Sequence, residues 1–283
     1  MGISKPQDLK HSMIIKKIWE CFEKCSSCIL DDKGYLSSLE YNLLPGIELK
    51  DFQEDFNESS GNELNKKICA VHSSSALVVN TFARWKEEPA SLNIFGNTNF
   101  NTMEFGKKCS TGLRGMEPSS DILLISDNSI ICVESKFTEY IKPKKMLFSS
   151  RYQREKLPQA EDEWWRLLEK IRDGSTQYLD AAQLIKHYLG LRHLSNQKNF
   201  ENHKITLLYL FWEPENWEDF DIFRKHREEI KTFTDQVKCT SVQFVADSYL
   251  KLWKEWESQE NISDHLKYLR KRYSFPVYVN HSF

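Results

Sequence analysis

The chain has 283 residues, of which 40% are hydrophobic and 28% charged, and its formal net charge at pH 7 is −2. Glycine (10) and proline (8) are scarce, which excludes a low-complexity or disordered chain and favours a helix-rich globular one. The near-neutral charge excludes a general attraction to polyanions, so any contact with nucleic acid requires a local basic patch.

Hydrophobic spacing predicts helices over residues 8–30 and 63–86, and His72 to Ser75 could interrupt the second. The polar, turn-rich residues 31–62 between them predict connections with short elements. Later elements are predicted in the following order: strands 104–112, 120–126 and 129–137; a basic irregular segment 139–158; helices 160–173 and 175–190; strand 204–212; helix 217–235; strand 239–246; helices 247–257 and 261–272. This order predicts an α/β fold.

Neither a signal peptide nor a membrane span is predicted. The longest apolar run, Ile205 to Trp212, is far shorter than the roughly 20 residues that a bilayer requires. The seven cysteines are odd in number and unevenly spread, which is typical of reduced thiols, although a role for Cys21, Cys25 and Cys28 is left open. We therefore predict a cytoplasmic protein that does not contact membranes.

Residues 118–137 predict a β-hairpin that turns at Asp127-Asn128, because both residues tolerate positive φ. A loop of two or four residues sets a register in which Asp121 lies directly opposite Glu134, whereas an odd loop would break it. Directly opposed residues have Cβ atoms roughly 4.5–5.5 Å apart. Two carboxylates at that distance repel each other, and a divalent cation between them would remove the repulsion.

The second strand of this hairpin is apolar on both faces from Ile130 to Val133, which is typical of a strand covered on both sides. Glu134 and Lys136 follow on one face, where ionised groups are costly unless they are paired or coordinated. An alternative is that both residues form a solvated strand end and that Asp121 caps a loop. The register and the buried flanks favour a functional site.

Asp121, Glu134 and Lys136 in this arrangement resemble the motif of the PD-(D/E)XK nuclease superfamily, which includes restriction, repair and recombination nucleases. Two further segments, His72 to Asn80 and Leu179 to His187, are similar to a little-studied microbial branch whose members are labelled restriction endonucleases. The resemblance covers about 150 residues of the chain.

The resemblance implies a restriction endonuclease-like core, in which a helix, a three-stranded meander, a helix and a strand follow one another. This core would lie within residues 61–283 and carry added helices at its C-terminal end, and residues 1–60 would be a helical N-terminal extension. One departure is Ser120, which occupies the position of the motif's proline; Pro118 lies two residues earlier.

The chemistry that the resemblance implies is hydrolysis of phosphodiester bonds with Mg²⁺ or Mn²⁺ as cofactor. DNA is the favoured substrate, and RNA is left open. Asp121, Glu134 and the Ser135 carbonyl would hold the metal ion. Lys136 would orient the attacking water and offset charge in the transition state.

Two helices could supply further site residues. Superfamily members often carry an acidic ligand on the helix before the strands, and Glu63 is the candidate, although the helix dipole favours the alternative of a surface glutamate near the start of the helix. They also often carry a glutamine on the helix after the motif. Gln183 is the candidate there, because it lies in an otherwise apolar stretch.

Residues 136–156 contain seven positive and two negative side chains, interleaved with aromatic residues. This composition suits contacts with a nucleic-acid backbone, although a solvated loop would look the same. The predicted nucleic-acid-binding residues are Lys142, Lys144, Lys145, Arg151, Arg154 and, on the later helix, Lys186.

We therefore predict a metal-dependent nuclease, a restriction or repair endonuclease. A catalytically inactive nucleic-acid-binding protein on the same fold is the first alternative, but it would have no use for opposed carboxylates. An interaction or scaffold protein is the second, and it predicts no metal binding and another hairpin register. The sequence leaves open DNA versus RNA, endo- versus exonuclease action, specificity, biological role and a homodimer.

Overall fold

The computed structural model describes residues 10–60, 67–115, 117–172, 176–197 and 199–279. Within these ranges the α-helices are α1 (His11–Glu23), α2 (Gln53–Ser60), α3 (Ser74–Phe82), α4 (Asp162–Arg172), α5 (Ala181–Ser195), α6 (Asp221–Val237), α7 (Tyr249–Glu255) and α8 (Ser263–Tyr273). The strands are β1 (Thr102–Phe105), β2 (Ile122–Ile125), β3 (Ser129–Lys136), β4 (Lys144–Lys145), β5 (Thr176–Gln177), β6 (Lys204–Phe211) and β7 (Val242–Ser248).

Five strands form one mixed sheet in the order β1-β2-β3-β6-β7. The strands β1, β2 and β3 are antiparallel neighbours, whereas β3, β6 and β7 run parallel to one another. The strands β4 and β5 form a separate two-stranded ribbon. The predicted α/β class is therefore confirmed.

The hairpin of β2 and β3 has the predicted register over its paired residues, from Ile125 opposite Ile130 to Ile122 opposite Val133. Asp121, predicted to lie directly opposite Glu134, lies just beyond this paired stretch, and its N–H donates to the Val133 carbonyl. The Ser126 N–H donates to the Ser129 carbonyl at 2.9 Å and closes the turn over Asp127-Asn128. This local pairing follows from the turn and from the alternation of the two strands.

Several element boundaries differ from the prediction. The first strand was predicted over 104–112 but ends at Phe105, because Gly106 adopts a positive φ of 60° that strands do not accommodate. The helix predicted over 63–86 is interrupted before Ser73, whose side chain accepts a hydrogen bond from the Ala76 N–H and caps α3.

The helix predicted over 175–190 begins later, at Ala181. Thr176 and Gln177 pair with the preceding basic segment as β5, which is a long-range contact that local periodicity cannot show. The Asp180 carboxylate then accepts a hydrogen bond from the Gln183 N–H at 3.1 Å and caps the helix.

The hydrophobic core is continuous from the N-terminal residues to the sheet. Helix α1 packs against α8. The Arg272 side chain on α8 donates to the Asn42 carbonyl at 3.1 Å and lies 4.7 Å from the centre of the Phe22 ring. None of the helices in the described ranges combines the length and the apolar character that crossing a membrane requires.

Candidate active site at the end of the central strands

Asp121 lies immediately before β2 and is fastened to the backbone of β3. Its N–H donates to the Val133 carbonyl at 3.0 Å, and its Oδ2 accepts from the Ser135 N–H at 2.7 Å. The Ser135 hydroxyl lies 2.7 Å from the Tyr249 hydroxyl in the buried interior. The two hydrogen bonds of Asp121, with the Val133 carbonyl and the Ser135 N–H, hold its carboxylate beside the end of β3.

Glu134 is buried at the same strand end, where its side chain is only 1% exposed. Its Oε1 forms an ion pair with the Lys136 ammonium group. Its Oε2 lies 2.8 Å from Nε2 of His187, but the two atoms are not aligned as a hydrogen bond, and Oε2 has no hydrogen-bond partner among the described residues. A buried carboxylate oxygen without a partner is costly, so this position suits an additional ligand.

The two carboxyl groups have opposite electrostatic environments. Burial and the adjacent Glu134 raise the pKa of Asp121 well above its usual range, against the opposing effects of Lys136 and the Ser135 N–H. Burial would also raise the pKa of Glu134, but Lys136 and His187 more than offset it and lower this pKa to about 2. Ionising Asp121 beside Glu134 would leave two negative charges against the one positive charge of Lys136, which is why the charge of Glu134 raises the pKa of Asp121.

Lys136 is held between two acceptors. Burial opposes its charge, but Glu134 and the neighbouring acids raise the pKa of Lys136 above its usual value, so the ammonium group stays charged. Its Nζ also donates to Oε1 of Gln183 on α5, at 2.8 Å. The structure thus brings together five of the predicted site residues, namely Asp121, Glu134, Ser135, Lys136 and Gln183.

The site residues differ in their exposure. Asp121 and Gln183 are half-buried and form the exposed part of the site, whereas Glu134, Ser135 and Lys136 are buried. Three surface cavities of about 300, 370 and 430 Å³ are lined by other residues.

The oxygen donors at Asp121 and Glu134 fit a hard divalent cation such as Mg²⁺, which proteins commonly bind through one or two carboxylates together with water and substrate phosphates. Across the described ranges, no group of three or more His, Cys, Asp or Glu side chains is assembled to hold a metal ion. A cation here would therefore need further oxygen ligands from backbone, water or substrate. Glu63, the predicted additional ligand, lies outside the described residues.

The basic segment follows Lys136 along the chain. Its predicted nucleic-acid-binding residues differ in whether they are already engaged in hydrogen bonds or ion pairs within the protein. Lys142, Lys144 and Lys145 are exposed, and Lys144 Nζ lies 3.8 Å from the Asp180 carboxylate. In contrast, Arg151 donates to the Arg114 carbonyl and Arg154 is paired with Asp162. Lys186, also predicted, lies 5.6 Å from the centre of the Phe148 ring.

His187 has no predicted role, yet the structure places it against Glu134. The spacing in the sequence could have indicated a role, because His187 lies four residues after Gln183 and therefore on the same face of a helix. What the sequence could not show is that this face of α5 covers the end of β3.

One family model matches the chain over residues 22–274, and its description is restriction endonuclease associating with ARP. No curated protein and no solved structure matches the chain significantly. The match spans most of the 283 residues, including every described site residue discussed above. The predicted resemblance to restriction endonuclease-like proteins is therefore confirmed, and the chain belongs to the family of restriction endonucleases associating with ARP.

Proposed function

We propose that the protein is a Mg²⁺- or Mn²⁺-dependent nuclease that hydrolyses phosphodiester bonds in DNA on a restriction endonuclease-like core. The observation that carries the proposal is the meeting of Asp121, Glu134 and Lys136 at one strand end, with the Asp121 carboxylate on the Ser135 N–H. Family membership supports the nuclease class.

In the proposed mechanism, Asp121, Glu134 and the Ser135 carbonyl would hold the metal ion. When bound, the ion would lower the pKa of a coordinated water and polarise the scissile phosphate. Lys136 supplies a fixed positive charge for the phosphate oxygens and orients the attacking water. The amide oxygen of Gln183 restricts the Lys136 ammonium group, which lowers the cost of orienting it in the transition state.

The exposed lysines Lys142, Lys144 and Lys145 support the contact with a nucleic-acid backbone, because ammonium groups that are free of tight ion pairs can neutralise phosphates. Arg151 and Arg154 would first have to leave their present partners. The family description also leads us to propose ARP as a partner of this chain. A cytoplasmic location, a homodimer and the division at residues 60 and 61 stay predictions.

Incubation with supercoiled plasmid, linear duplex, single-stranded DNA and RNA tests the proposal. We expect Mg²⁺ or Mn²⁺ to support DNA cleavage and a chelator to abolish it. Asp121→Asn and Lys136→Ala should lower the rate by at least about 100-fold, which is the scale of losing one group that acts in the transition state.

Lys254→Ala provides the matched control, since Lys254 is an exposed lysine on α7, and it should cleave like the wild type. Cleavage that persists in Asp121→Asn would contradict the proposed site. Metal-independent DNA binding without cleavage of any substrate would favour the alternative, an inactive nucleic-acid-binding protein.

A further inference from the structure

Helix α5 presents two polar side chains to the proposed site from adjacent turns. Gln183 contacts Lys136, and His187 lies four residues later on the same face. His187 Nε2 is 2.8 Å from Glu134 Oε2, and the two side chains are 0% and 1% exposed. One helix therefore contacts both ionised residues of the Glu134–Lys136 pair.

Core packing alone does not explain a histidine at this position. Its neighbours on α5, Leu184 and Tyr188, are completely buried. Neither Nδ1 nor Nε2 of His187 has a hydrogen-bond partner among the described residues, and a buried polar atom without a partner is destabilising. A leucine of similar volume would avoid that cost, so the contact with Glu134 is the feature that distinguishes histidine here.

The chemistry of the two groups determines how they can interact. A carboxylate oxygen can only accept a hydrogen bond, so a small rotation that aligns the two side chains makes a hydrogen bond if Nε2 of His187 carries the hydrogen. Lys136 occupies the other carboxylate oxygen, Oε1. His187 and Lys136 thus lie next to the two different oxygens of the Glu134 carboxylate.

We infer that His187 is a positioning residue for metal binding, which holds Oε2 of Glu134 so that the carboxylate keeps one orientation toward Asp121. The inference rests on the proposed metal-dependent function. In the absence of His187, Glu134 would keep only its ion pair with Lys136 and could turn away from the cation. Loss of a group that orients a metal ligand typically weakens metal affinity by about 10- to 100-fold.

Titration of Mn²⁺ into the substrate-free protein by calorimetry tests the inference without using activity. We compare His187→Leu, which fills the volume without a donor, with His187→Gln, whose amide nitrogen reaches about as far as Nε2. His187→Leu should bind Mn²⁺ about 10- to 100-fold more weakly, and His187→Gln should return to within about threefold of the wild type. A merely structural role would not produce this rescue.

Thermal unfolding of each variant shows whether it is folded. If His187→Leu does not fold, His187→Asn, whose shorter side chain ends before Glu134, replaces it in the comparison with His187→Gln. We call whichever of these two variants is used the donor-free variant. If it binds Mn²⁺ as tightly as the wild type, or if His187→Gln loses as much affinity as it does, the inference is overturned.

Mn²⁺ titration of Asp121→Ala separates the role of His187 from the proposed function. If Asp121→Ala abolishes Mn²⁺ binding and the donor-free variant does not weaken it, only the role of His187 fails; if the wild type binds no Mn²⁺, both fail.

Discussion

At the scale of single residues, the proposed site depends on two acids that the fold treats differently. Glu134 is held ionised by Lys136 and His187, whereas burial and the charge of Glu134 raise the pKa of Asp121. The carboxyl of Asp121 therefore retains its proton at a pH where an exposed aspartate would have lost it. A cation that binds both acids has to displace that proton.

Metal affinity should consequently depend on pH. As the pH rises toward the raised pKa of Asp121, Mn²⁺ binding should strengthen by up to about tenfold per pH unit, and each bound ion should release a proton. Calorimetric titration in two buffers of different ionisation enthalpy measures this proton release. Asp121→Asn cannot ionise, so any Mn²⁺ that this variant still binds should release no proton from position 121. Mn²⁺ binding without proton release at any pH at which the protein stays folded would show that Asp121 does not exchange a proton for the metal.

At the scale of elements, the hairpin and α5 build the site together, and the basic segment between them carries the free positive charge. The short strands β4 and β5 pair just before α5, so Lys144 and Lys145 lie on a ribbon that leads into this helix. Because Arg151 and Arg154 are engaged elsewhere, the lysines should account for most of the phosphate contacts.

The salt dependence of DNA binding should separate the two kinds of residue. Removing Lys142, Lys144 and Lys145 together by alanine substitution should reduce the slope of log Kd against log salt by about 1 for each phosphate that these lysines neutralise in the wild type. Fluorescence anisotropy of a labelled duplex at several salt concentrations, in the presence of a chelator, measures the slope.

The matched control removes three other exposed lysines, Lys231, Lys238 and Lys254, and changes the net charge by the same amount. Similar slopes for the two triple variants would mean that general charge, not the segment, attracts DNA.

At the scale of the whole molecule, the N-terminal helix α1 packs against the C-terminal helix α8, and residues of both belong to one core. An ionisable side chain of α8 is buried in this core. His265 on α8 is 5% exposed, and its Nε2 lies 3.3 Å from the Thr81 carbonyl at the end of α3. Burial lowers the pKa of His265 to about 4, although the hydrogen bond to Thr81 opposes the shift.

The free energy of unfolding should therefore fall as the medium becomes acidic. The unfolded chain binds a proton at His265 below its ordinary pKa of 6.5, whereas the folded chain does so only near pH 4. This residue should cost about 2 kcal/mol of stability between pH 7 and pH 5. Urea unfolding of wild type and His265→Gln at both pH values measures this loss. Between pH 7 and pH 5 the free energy of unfolding should fall by about 2 kcal/mol less in the variant than in the wild type. An identical loss in both proteins would contradict a neutral buried His265.

Much of the site was predictable from the sequence because it is local. The turn at Asp127-Asn128 and the alternation of two strands place Asp121 near Glu134 without any knowledge of the rest of the chain. Strand β1 was predicted too long because one glycine with positive φ ended it, and α5 was predicted too early because its first residues pair with a distant segment.

The sequence by itself determined the class of fold, the hairpin register and the candidate acids, since these follow from patterns over a few residues. Only the tertiary structure decided that α5 lies over the end of β3, which brings Gln183 to Lys136 and His187 to Glu134. It also decided which basic residues are already paired. These facts depend on packing between segments distant along the chain, and such packing leaves no periodic signal in a single sequence.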